Sequence, residues 1–197
     1  MKREYLKMIM VLTSIAMVCG FLLSAVKTFT YEKIQEQILV NVKGPALKNV
    51  LSKSTNDPIE DRMTINIDGI EYVVFIGKKG EKISAVAYES EGAGFGGKIV
   101  IMVGINFEIS TISGIGILTH QETPGLGSRI RETSFTDRFK GRSTNDTFRV
   151  KKDKGVIDAI SGATNSSRGV CSAVEKGAAL FTKIKEEILK RSDKKVR

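Results

Sequence analysis

The residues with the clearest capacity for chemistry are Asp158-Ala-Ile-Ser161-Gly162-Ala163-Thr164, a run of small side chains ending on a hydroxyl. Ser166 and Ser167 follow as candidate N-caps for a long amphipathic segment. Thr164 is thereby expected near a helix N-terminus, where free backbone N–H groups and the helix dipole favour a phosphate. A threonine presented in this way can hold a phosphoryl group or carry one covalently. The same residues also fit an ordinary glycine-containing turn that leads into a helix, and the turn alone does not choose between the two.

A second stretch, His120-Gln-Glu122-Thr123-Pro124-Gly125-Leu126-Gly127, combines proline and two glycines in a tight loop with Leu126 at its tip. Asp158 to Thr164 resembles the flavinylation motif of the FMN-binding domain found in the G-type subunit of the Rnf electron-transport complex and in the C-type subunit of the sodium-pumping NADH:quinone reductase. The loop resembles that family's second signature, which faces the flavin. These resemblances imply FMN joined to Thr164 by a phosphoester bond, within a turn formed by Ser161, Gly162 and Ala163. They imply a flavin transferase that makes the bond from FAD and reads Asp158. Glu122, Thr123, Gly125, Leu126 and Gly127 are implied as the second cofactor-binding group, with Thr123 and Leu126 near the ring and glycine amides available as donors. Glu122 is divided between fixing its loop and touching the cofactor. His120, the sole histidine, is expected to be structural rather than a proton carrier. No acid–base pair, catalytic residue or metal ligand is expected.

These two stretches need elements to carry them. Met8 to Val26 is an uncharged run of roughly nineteen residues, enough for a helix to cross a bilayer. Lys2, Arg3 and Lys7 precede it, whereas Lys27 and Lys33 beyond it are offset by Glu32 and Glu36, a bias that favours a cytoplasmic N-terminus. No clean Ala-x-Ala site precedes Lys27, so a retained anchor is preferred over a cleaved signal peptide. Tyr31 to Leu51 has helical spacing interrupted at Gly44-Pro45, and Ser52 to Pro58 reads as a polar loop. Strands are expected at Thr64–Ile67, Glu71–Ile76, Ile83–Tyr88, Ile99–Ile105 and Ile112–Thr119. Asp68-Gly69 is a strong hairpin signal, and the short connections argue for an antiparallel sheet. Gly92-Ala-Gly-Phe-Gly-Gly97 has the GxGxxG spacing, but a strand follows where a dinucleotide site needs a helix, so it reads as a flexible or closely packed loop. A short helix is expected over Phe135–Gly141. Val170, Val174, Ala178, Phe181, Ile184 and Ile188 form one apolar stripe of a C-terminal helix, followed by a basic tail, Lys194 to Arg197, that is expected to be solvated or close to the membrane.

The fold class that follows is α+β: a transmembrane anchor over 1–30, a helical stalk and linker over 31–60, and an antiparallel-sheet FMN-binding domain with a C-terminal helix over 61–197. The net charge of +9 comes from lysines and arginines mixed with acids. No basic stretch is interleaved with aromatics, so a nucleic-acid partner is not expected; a solvated surface, or attraction to anionic lipid, accounts for the charge. Cys19 and Cys171 form no CxxC pair, which disfavours iron–sulfur and zinc sites on this chain. Redox chemistry would therefore come from an organic cofactor.

The resemblance implies an electron-carrier subunit of an ion-translocating ferredoxin:NAD⁺ oxidoreductase at the cell membrane, with its flavin domain on the outer face. Its implied partners are the membrane, iron–sulfur and flavin subunits of that complex. Three alternatives stand beside it: a free-standing membrane flavoprotein feeding an external reductase, the C-type subunit of the sodium-pumping quinone reductase, and a non-redox anchor or binding module.

Overall fold

The computed structural model describes residues 2–196, with side chains described as far as residue 191; the basic tail, Lys194 to Arg197, lies outside the described side chains. The chain divides into two compact units, Met1–Asn41 and Val42–Arg197. The first is built on helix α1, Lys2–Ile38, which has no buried residue. At about 1.5 Å per residue its 37 residues exceed the thickness of a bilayer core. Its apolar stretch is long enough to cross a membrane, and Leu12, Phe21 and Leu23 point outward.

Gly44-Pro45 does not end the helical path as the sequence suggests. A π-helical turn over Leu39–Lys43 is followed by a short helix α2, Gly44–Val50, with Pro45 in its first turn. Lys43 keeps α-helical φ and ψ, so the helical path runs on through Pro45, and the π-helical turn just before it is the local irregularity that accompanies the proline.

The second unit carries a five-stranded antiparallel meander in sequence order: β1 Arg62–Ile67, β2 Ile70–Lys79, β3 Lys82–Ala93, β4 Lys98–Asn106 and β5 Thr111–Thr119. Ile67 opposes Ile70 across Asp68 and Gly69, both with positive φ (55° and 83°), the twisted two-residue turn that hairpins favour. A third helix of this unit covers one face of the sheet; it is the C-terminal helix, Thr164–Val196, numbered α4 because a short helix α3, Thr133–Thr136, precedes it. All six residues of its expected stripe are buried, in one core with Ile65, Val86, Ile101 and Val103. Polar contacts register the two layers: Tyr88 donates its hydroxyl to the Gly177 carbonyl at 2.8 Å, and Ser90 donates to that of Ala173 at 2.7 Å. α2 covers the other face through Leu47 and Val50, fastened by Ser113 Oγ donating to the Val50 carbonyl at 2.6 Å.

The expected short helix after Phe135 begins slightly earlier, as α3, and runs into a 3-10 turn over Asp137–Phe139. Phe135 and Phe139 are fully buried and meet edge to face, with ring centres 5.5 Å apart. This aromatic anchor holds the backbone that leads toward Thr164: Arg138 lies over the Phe135 ring and donates to the Asp158 carbonyl, while Arg142 donates to that of Val156 at 3.1 Å.

Candidate functional site

Ile160 to Thr164 forms a tight turn, closed by Ala163 N–H donating to the Ile160 carbonyl at 3.0 Å. Gly162 takes φ 79°, a conformation glycine adopts without penalty. Helix α4 then starts at Thr164 itself. The two serines expected to cap it lie inside its first turn and make other contacts. Ser167, fully buried, accepts the Ile160 N–H at 3.0 Å and donates to the Ala163 carbonyl at 3.0 Å, clasping the turn onto the helix. Ser166 donates to Glu122 at 2.5 Å. The residue before the helix is Ala163, which has no side-chain acceptor. The earlier start therefore places the Thr164 hydroxyl in the first turn, beside backbone donors that no side chain of the preceding residue caps.

Glu122 is only 5% exposed, and its carboxylate ties three segments together. One oxygen accepts the Gly96 N–H at 3.0 Å, from the loop joining β3 to β4; the other accepts from Ser166 on α4. A Cβ at Gly94 would lie 2.1 Å from one carboxylate oxygen, and one at Gly127 would lie 2.7 Å from the other. Of the two roles the sequence left open for Glu122, fixing the loop is the one these contacts describe. The glycine-rich stretch is accordingly a closely packed loop. His120 supports the same corner, its Nδ1 accepting the Glu122 N–H at 3.2 Å. Burial chiefly, and then the nearby Arg131 cation, push the His120 pKa below its ordinary value, with Glu122 opposing; a neutral ring with Nδ1 as acceptor fits this environment.

These segments enclose a cavity of about 290 Å³ that brings Glu122, Thr123, Leu126 and Gly127 together with Gly162, Ala163 and Thr164. Leu126 and Gly162 are in close contact; a Cβ on the glycine would come within 2.9 Å of the leucine. Three further lining residues are absent from the sequence-derived set: Phe95, Asn165 and Ser166. Phe95 sits alone among glycines, a signal of an aromatic held out from a tight loop; Asn165 and Ser166 carry no signal beyond adjacency to Thr164. Ser161 and Gly125 are exposed and do not line the cavity. Asp158 stands apart from it as well. Its exposed carboxylate pairs with Lys151 at 2.8 Å, and the hydrogen bond from Lys151 is the main reason its pKa falls below the ordinary carboxylate value.

A larger groove of about 960 Å³ runs between the start of β2, the end of β3 and α4. It contains none of the motif residues, and its charges are largely matched, as in Lys98–Glu91 and Lys43–Glu89. The smaller cavity is the one with a hydroxyl at a helix start, two large apolar side chains (Phe95 and Leu126) and a fixed frame. Those features suit a ligand with an anionic group and a flat apolar body, and the volume lies at the low end for small-molecule pockets, so such a ligand would remain partly exposed.

Residues 94–179, which span every cavity-lining residue, match the FMN-binding domain family. The G-type subunit of the ion-translocating oxidoreductase complex of Cereibacter sphaeroides is 35% identical over 68% of this chain, a match that spans 64% of that relative's length. The corresponding protein of Shewanella piezotolerans is 31% identical, over 96% of this chain and 95% of the relative. The crystal structure of the C-type subunit of the Na⁺-translocating NADH-quinone reductase from Parabacteroides distasonis superimposes with a TM-score of 0.60 at 22% identity, covering 78% of this chain and 95% of that one, a likeness of fold. With a near full-length relative above 30% identity and the FMN-binding domain placed over the cavity, the chain belongs to the family of G-type subunits of the ion-translocating oxidoreductase complex.

Proposed function

We propose that this chain is a single-pass membrane electron carrier that holds FMN by a phosphoester to Thr164 and serves an ion-translocating ferredoxin:NAD⁺ oxidoreductase complex. The observation that carries the reading is the position of Thr164: first residue of α4, on the wall of a cavity that also contains Leu126 and the Glu122-anchored loop. The residues present fit the group. Backbone N–H groups at the start of α4 favour the phosphate. Leu126 and Phe95 offer apolar surface for a ring, and Thr123 and Gly127 line the same cavity. Bound FMN would supply one-electron exchange, a chemistry that no side chain of this cavity provides.

The chain's own residues hold, orient and shield. Thr164 acts once, as acceptor when a flavin transferase moves the FMN group from FAD: its hydroxyl oxygen forms the new ester bond to phosphorus, the pyrophosphate P–O bond breaks, and AMP leaves with the hydroxyl proton; afterwards Thr164 is a tether. Asp158 and Ser161 are exposed and so accessible to such an enzyme. Glu122 and Ser167 keep the turn and the loops at fixed separation. Covalent attachment suits a domain on the extracytoplasmic side, where a lost cofactor is not replaced from the cytoplasmic pool. Lys2, Arg3 and Lys7 ahead of the apolar run support that orientation. Electron donors and acceptors are then the membrane, iron–sulfur and flavin subunits of the complex, with lipid around α1.

The test is in-gel flavin fluorescence after denaturing electrophoresis, comparing wild type with Thr164→Ala, each co-expressed with a flavin transferase. A fluorescent wild-type band that vanishes in the variant is the expected result. A dark wild-type band, with the transferase active on a control protein, would overturn the reading.

A further inference from the structure

Phe95 is 73% exposed, although the loop that carries it is tightly fixed. Gly94 N–H donates to the Gly97 carbonyl at 2.8 Å and Gly96 N–H to Glu122 at 3.0 Å. A Cβ on Gly96 would fall 2.0 Å from the Gln121 carbonyl oxygen, backbone against backbone. The aromatic is thus presented from a rigid support at the rim of the Thr164 cavity, where its neighbours in the lining are mostly small or polar. Only Leu126, 45% exposed, offers comparable apolar surface there. An exposed ring on an immobile loop gains when a flat aromatic ligand covers it, since offset stacking adds to the burial of apolar area.

Resting on the functional reading above, we propose that Phe95 is a ring-contacting residue: it packs against the isoalloxazine of the tethered FMN and forms the wall of the site supplied by the β3–β4 loop. The glycines beside it serve this placement. They let the loop close onto Glu122 and Gln121 so that residue 95 alone projects.

The chain offers a clean optical test, because it has no tryptophan and none of its tyrosines lines the cavity. Tryptophan in contact with a flavin quenches its fluorescence by electron transfer from the indole to the excited ring. Phe95→Trp in the full-length, flavin-loaded protein is therefore expected to lower native-state flavin fluorescence several-fold relative to wild type, with recovery on denaturation. Ile109→Trp, similarly exposed at 69% but outside the cavity lining, is expected to match wild type. Phe95→Ala, compared with wild type per flavin-loaded molecule as scored by the denatured-gel band, should make the native flavin more accessible to iodide. Native fluorescence in Phe95→Trp equal to that of Ile109→Trp, or unchanged iodide quenching in Phe95→Ala, would overturn the assignment while the flavin band still stands. A wild-type chain without flavin would instead overturn the functional reading, and this assignment with it.

Discussion

Ser166 donates its hydroxyl to the buried carboxylate of Glu122, 44 residues earlier, at 2.5 Å, and this bond joins the start of α4 to the Thr123–Gly127 loop. With Gly96 N–H on the other oxygen, one side chain sets the spacing of three segments around the cavity. Glu122→Ala would leave the buried Ser166 hydroxyl without its acceptor and release the exposed Gly96 amide to solvent, and is expected to cost about 2–3 kcal/mol. Glu122→Gln keeps an acceptor for Gly96 but turns an amide toward Ser166, and should cost about 1 kcal/mol. Urea unfolding of the three proteins checks the order, and flavin attachment should fall most in Glu122→Ala. Equal stability of wild type and Glu122→Ala would show that the loops are held by something else.

The His120 ring provides a pH-sensitive prop for the same loop. Its folded pKa lies below the ordinary 6.5 because burial and Arg131 disfavour the cation. The neutral form is therefore the one that folding favours. This contribution to stability is complete above 6.5 and is lost as the pH falls through the folded pKa. As the only histidine, it can be followed by NMR without assignment ambiguity. It should titrate below 6.5, and Arg131→Gln should move the titration upward. A titration above 6.5 would mean that Glu122, the opposing influence, outweighs burial and Arg131.

A different acid response comes from Asp153 and Asp158. Arg168 grips Asp153 through two bonds of 2.6 and 2.8 Å, and Lys151 holds Asp158; in each case that hydrogen bond is the first cause of a pKa below 3.8. Depressed folded pKa values stabilise the protein above pH 3.8, and that contribution is lost as pH falls through the folded values. Both carboxylates are exposed enough for salt to screen them. Thermal unfolding temperature is expected to hold steady down to about pH 4 and to drop below it, with a shallower drop in Asp153→Asn and in molar salt. An identical drop in Asp153→Asn would remove the Arg168 pair from the account.

Most of the fold was legible because its signals are local. Asp68-Gly69 dictates its turn, short breaks separate the apolar strands, and the stripe from Val170 to Ile188 repeats at helical spacing. The motif turn and the Thr123–Gly127 loop were visible for the same reason, and the cavity unites most of their residues. Contacts remote in sequence were not legible. Nothing near Ser166 announces Glu122, so the serines read as caps when they are tertiary anchors, and the helix starts at Thr164 instead. Phe95 was hidden in a glycine pattern whose meaning, close packing on residues 121 and 122, exists only once β4 and β5 have brought the two loops together. The Gly44-Pro45 break misled because the helical path passes the proline by way of a π-helical turn, an irregularity that no local sequence signal announces.

Helix α4 lies so close to β3 that position 92 has no room for a side chain. A Cβ at Gly92 would lie 2.0 Å from the Gly169 carbonyl oxygen and 3.0 Å from the Ala173 nitrogen. Both obstacles are backbone, so no rotamer change can make room and the helix itself must move. Moving it strains the Tyr88–Gly177 and Ser90–Ala173 hydrogen bonds and, at the helix start, the Ser166–Glu122 bond beside Thr164. Gly92→Ala is expected to cost about 3 kcal/mol or more, the upper range for overpacking. Gly80→Ala is the matched control: φ there is 65° with nothing within 4 Å, so only backbone strain of about 1 kcal/mol applies. Urea unfolding should separate the two variants, and flavin attachment per folded molecule should fall in Gly92→Ala alone. Equal losses at both glycines would mean that backbone conformation, rather than contact between helix and sheet, is what requires glycine at position 92.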